Sequence, residues 1–243
     1  MTIVPLSLPS LRLALAEGWR LANVTRGVSI AYSALFTLGG LLIIGGLLAN
    51  GLTPFIIAAA GAFMLIGPPV LAGFFGIAQA SEAGEKLGIG AIVSGFRNAS
   101  SAIWVIALVC ALLFMIFVTD AAILYSYMIG STPVWLSDLL PATKGLLSFL
   151  KWGSASGFVV ALLLFCFSAF SVPLLCDRRA SLVAAVSTSV KIVFGSFVPA
   201  MLWAALLSSL IIGSILLLPL LPLTLPWLAY ASRALYLKTL PTE

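Results

Sequence analysis

The chain has 243 residues, 62% of them hydrophobic and only 8% charged, with a mean hydropathy of +1.23. Soluble domains carry about 25% charged residues, and a water-soluble fold of this composition would expose apolar patches that monomers do not tolerate. Composition therefore excludes an ordinary soluble domain and predicts an all-α polytopic membrane protein whose first partner is the lipid bilayer. The formal net charge of +5 comes from basic residues scattered singly along loops, which fits a membrane orientation signal and not a nucleic-acid surface.

Residues 1–26 read as a cytoplasmic segment with an amphipathic helix at 11–24 and no signal-peptide pattern. A hydrocarbon core of about 30 Å takes about 20 helical residues. The uncharged stretch 27–81 is long enough for two spans, 28–49 and 54–79, divided at Asn50-Gly51-Leu52-Thr53-Pro54. Residues 87–98 place Ile89, Ile92, Val93 and Phe96 at helical spacing, a second surface helix. A third span at 101–128 carries one charge, Asp120, and a fourth lies at 154–176. Residues 182–193, with Leu182, Val186, Val190 and Val193, form the third surface helix. Spans at 197–217 and 220–238, broken at Pro219 and Pro222, complete a membrane domain of 27–238, with a cytoplasmic tail at 239–243.

Lysine and arginine set the direction. Ten lie on the side of the termini and two, Lys144 and Lys151, on the other, which places both termini in the cytoplasm of a bacterial inner membrane. Trp104, Trp203 and Trp227 then mark the cytoplasmic interface, and Trp135 and Trp152 the outer one.

The six spans also divide into three hairpins, each preceded by a surface helix with a cation near its end: Gly18-Trp19-Arg20, Gly95-Phe96-Arg97 and Ser189-Val190-Lys191. Each returning span carries proline, at Pro68-Pro69, Pro173 and Pro226, and is expected to kink there. Small residues predict close helix packing at Gly153 and Gly157, and along Ala72, Gly76 and Ala80.

Two motifs carry a family resemblance. Gly73-Phe74-Phe75-Gly76-Ile77-Ala78 leads into Glu82-Ala83-Gly84-Glu85, and Ser171-Val172-Pro173-Leu174-Leu175 leads into Asp177-Arg178. Over residues 66–236 the chain resembles the prokaryotic membrane proteins of domain-of-unknown-function family 2189, sometimes described as similar to cytochrome c oxidase subunit I. The resemblance implies a histidine pair in the last helix. Here the matching stretch is Ala229-Tyr230-Ala231-Ser232-Arg233-Ala234, and the chain has no histidine at all. Haem iron is commonly held by histidine, so an oxidase catalytic subunit is excluded.

Chemistry-bearing residues are few. Asp120 is an intramembrane acid, by default a candidate proton or ion relay; its bland alternative is an interfacial acid hydrated or paired with Lys144 or Lys151. Glu82, Glu85, Asp177 and Arg178 follow the cytoplasmic ends of spans two and four, as a partner-docking or gating cluster or as a solvated ion pair. Arg233 can reach Asp177 or Glu82, or snorkel to the headgroups. Cys110, Cys166 and Cys176 lack metal or disulfide spacing and read as small apolar residues. No nucleophile–base set or phosphate loop is present, so no enzyme activity, cofactor or metal is expected. The expectation is a non-catalytic accessory, assembly or scaffold component that contacts other membrane subunits. The alternative is a small transporter or channel with its path among the proline-kinked helices.

Overall fold

The computed structural model describes residues 2–56, 59, 67–130 and 144–241. Among these the chain is helical throughout. In chain order the helices are α1 (Leu8–Val24), α2 (Arg26–Ala49), α3 (Gly67–Glu82), α4 (Ile89–Asn98), α5 (Ala102–Met128), α6 (Lys144–Ser168), α7 (Ser171–Cys176), α8 (Leu182–Gly195), α9 (Phe197–Leu216) and α10 (Leu221–Thr239). Helix α1 starts at a capping box, in which the Ser7 and Ser10 side chains each accept the other's backbone N–H, with Pro9 in the first turn.

Among the described residues, four helical stretches are long and apolar enough to cross a bilayer: Arg26–Ala49, Ala102–Met128, Lys144–Cys176 and Phe197–Ile215. The fourth expected span therefore begins ten residues early, and Lys144 and Lys151 lie on α6 instead of in a loop. Much of the expected span 54–79 lies outside the described residues, as does Trp135. Helix α10 has the length but carries Arg233 and Lys238. Its polarity is tolerable because protein surrounds it: α1, α2, α3 and α9 all pack against it, and most of its residues are buried. The lateral faces of α2, α5 and α9 instead expose Leu42, Ile116 and Val198, among other large apolar side chains, as a lipid-facing surface should.

Small residues make the closest contacts. A Cβ on Gly18 of α1 would meet the Ala231 backbone nitrogen of α10 at 2.5 Å, and one on Gly76 of α3 would meet Gly95 Cα of α4 at 2.6 Å. Ala72, Gly76 and Ala80 thus pack inside the chain. The three short helices dock through small residues four apart: Ala14 and Gly18, Ala91 and Gly95, Ala185 and Ser189, all buried. On α4 the larger apolar residues Ile89, Val93 and Phe96 are exposed. Bulky side chains hold helices apart, while lipid receives them without penalty.

Proline acts differently in each returning helix. Pro173 coincides with the break between α6 and α7, and a neighbour repairs the ladder: Ser189 Oγ accepts from Phe170 N–H at 3.2 Å and donates to Cys166 C=O at 2.8 Å. Pro226 sits inside an α10 that runs on unbroken. Pro68 and Pro69 begin α3, and the residues before them lie outside those described. Trp203, expected at an interface, is 3% exposed and belongs to the core.

Candidate functional site

One end of the bundle gathers most of the candidate residues. The last turn of α3 brings Glu82 to α10, where Arg233 donates to both carboxylate oxygens, at 2.5 and 3.0 Å. The guanidinium is deeply buried while the Glu82 side chain is 54% exposed. Arg233 Nε is buried without a hydrogen-bond partner. One turn earlier on α10, the Tyr230 hydroxyl lies 2.6 Å from Ser29 Oγ and 3.2 Å from Thr25 Oγ1, all three residues buried. Helices α2, α3 and α10 are thus joined by polar contacts inside an apolar bundle.

The end of α7 supplies the rest. Asp177 Oδ1 accepts from Gln79 Nε2 of α3 at 3.1 Å. Arg178 has φ +51, a left-handed backbone. There its N–H reaches Leu175 C=O and that of Arg179 reaches Leu174 C=O, a Schellman termination. This sharp ending splays two consecutive arginines apart. Arg178 caps the carbonyls of Arg97 and Ala99 at the end of α4. Arg179 caps those of Leu240 and Pro241 after α10 and donates to the Tyr236 hydroxyl at 3.0 Å. Each arginine satisfies acceptors that a helix end leaves open. At the same end, Lys238 of α10 pairs with Glu17 of α1 at 3.3 Å.

Of the sequence-stated candidates, Glu82, Asp177, Arg178 and Arg233 thus lie in one region and hold helix ends. Glu85 is exposed beyond α3. Asp120 stands apart on α5, its Oδ2 buried without a hydrogen-bond partner among the described residues. Tyr230, Arg179 and Gln79 were not anticipated. Their sequence signal is weak, because a cap or hydroxyl contact depends on which helix ends meet.

A second feature lies in the half of the bundle away from this polar end. A cavity of about 300 Å³ opens between α5, α6 and α9. Phe55 and Phe149 are in its lining, and with Tyr125 they form a cluster of rings whose centroids lie 5.0 to 6.0 Å apart. Among the described residues no group of three or more metal-ligating side chains comes together.

A family model described as a predicted integral membrane protein (DUF2189) matches residues 55–177, half of the chain. The match runs from the turn before α3 to the end of α7 and stops short of α10, where the expected resemblance continued. No curated protein and no solved structure matches the chain.

Proposed function

From the premise that the chain belongs to the DUF2189 family of predicted integral membrane proteins, we propose that it is a non-catalytic accessory, assembly or scaffold component of a bacterial inner membrane. It has six passes in three hairpins, each preceded by a surface helix, and both termini are cytoplasmic. One observation carries this reading: several charged residues of the polar end hold the chain's own helices together. Arg233 and Glu82 join α10 to α3, and Arg178 and Arg179 close two helix ends. Alongside it stands a broad lateral surface of exposed apolar side chains, suited to lipid and to other membrane helices.

The same end supports the pass count. Arg26, Glu82, Ser100, Cys176 and Thr239 all belong to elements that meet there, since Ser100 N–H reaches Leu175 C=O and Val4 N–H reaches Thr239 C=O. On this reading, the helices that leave this end at Arg26, Ala102 and Phe197 are each followed by one that comes back to it. The small pairs of α1, α4 and α8 support a threefold internal repeat. Each packs on a returning helix of another hairpin, and α1 on α10 closes the ring.

The test is a native pulldown in mild detergent. Recovery of a defined membrane subunit in stoichiometric amount is the expected result, and recovery of this chain alone sinks the accessory reading. A second reading, a small ion or proton transporter, is favoured by the orphaned buried oxygen of Asp120. It requires Asp120→Asn to abolish proton or ion flux in vesicles, and unchanged flux removes it.

A further inference from the structure

We propose that the slot between α5, α6 and α9 is a lipid site that holds one hydrocarbon tail of a bilayer phospholipid. Its walls are apolar. Phe114 and Phe117 come from α5, Gly153 and Leu164 from α6, and Ile211 from α9. The rim is open to the side, because Phe158 is 67% exposed and Ile212 is 37% exposed. Helix α6 lines it from Phe149 to Leu164, about 22 Å at 1.5 Å per residue. That is a long, narrow space along the helix axis, with the Phe55 and Phe149 rings in the wall where the lined stretch of α6 begins.

Two facts decide between a lipid tail and a partner helix. An apolar cavity stays dry, so water does not fill the slot, while bilayer hydrocarbon lies at its mouth. A partner helix docking on Gly153 and Gly157 would need both glycines bare. A Cβ on Gly157 would stand 3.0 Å from the Phe117 ring, so that face is already taken; only Gly153 opens on free space. One bare notch beside a narrow groove admits a chain, not a helix backbone. The inference does not depend on the accessory reading and applies equally to a transporter.

The experiment is native mass spectrometry of the full chain after stringent detergent washing and addition of dioleoyl-phosphatidylglycerol. Wild type should retain one phospholipid. Gly153→Phe, which fills the notch, should lower retention at least fivefold, and Ala161→Leu in the same wall should lower it too. Gly45→Phe should retain lipid as wild type does, since nothing lies within 4 Å of a Cβ at Gly45. Phosphatidylethanolamine should serve equally well, because the walls meet the tail. Equal retention by all variants, a strict headgroup preference, or a lipid-free dimer of the wild type would each overturn the proposal. If Gly153→Phe does not fold, the comparison of Ala161→Leu with Gly45→Phe decides.

Discussion

Arg233 is a permanently charged guanidinium in an apolar bundle, held by a carboxylate that is itself half in solvent. Removing one partner from a fully buried pair costs about 3–5 kcal/mol, because the other charge is stranded. The exposure of Glu82 reduces this, so Glu82→Ala is expected to destabilise the protein by about 2 kcal/mol. Glu82→Ala combined with Arg233→Met should lose less than Glu82→Ala alone, since methionine needs no partner. Thermal unfolding in detergent measures both, and a double variant less stable than Glu82→Ala would refute the stranded-charge account. Arg178 shows a different economy. A left-handed backbone at a residue with a Cβ is unfavourable by roughly 1–2 kcal/mol, yet glycine there would leave Arg97 and Ala99 carbonyls uncapped.

Helices in this protein meet where their side chains are smallest. On that account Gly76→Ala, whose new methyl would collide with the backbone of Gly95, should destabilise the chain by about 1–3 kcal/mol. Gly45→Ala, with open space around it, should be neutral or stabilising by about 0.5–1 kcal/mol, since alanine is the better helix former. If the two variants melt alike, close approach is not what holds α4 to α3. The same packing rule explains what could be read from sequence. Uncharged lengths located α2, α5 and α9 to within two residues, because a hydrocarbon ruler needs no tertiary knowledge. Periodicity found α4 and α8 as helices, but not that Ala91 and Gly95 are the residues of α4 that pack on α3. In water, burial identifies large apolar residues; in lipid it no longer separates them from the surface. At the site, Arg233 and Glu82 were legible as a charge that needed a partner. The Ser29–Tyr230 contact was not, because it joins residues 201 apart in sequence.

Over the whole molecule, charge and packing argue for the same topology by separate routes. The extended segment before α1 bonds to the end of α10 through Val4 N–H and Thr239 C=O at 2.9 Å, so both termini sit at one end of the bundle. The sequence reading assigns ten of the twelve basic residues to the side of the termini, and on the proposed topology that side is cytoplasmic. The proposed topology then has an even number of passes, but parity alone does not separate four from six. The places where the chain turns do. If α3 and α10 each complete a crossing, then Glu85, Arg178 and the C-terminus share the cytoplasmic side, while Gly51, Gly130 and Leu217 face outward. Alkaline phosphatase, active only outside the inner membrane, should therefore be active when fused after Gly51, Gly130 or Leu217. It should be inactive after Glu85, Arg178 or the C-terminus. Activity after Glu85 would mean that α3 does not return, and activity at the C-terminus would mean the same for α10; either outcome reduces the count below six and overturns the orientation that the charges set.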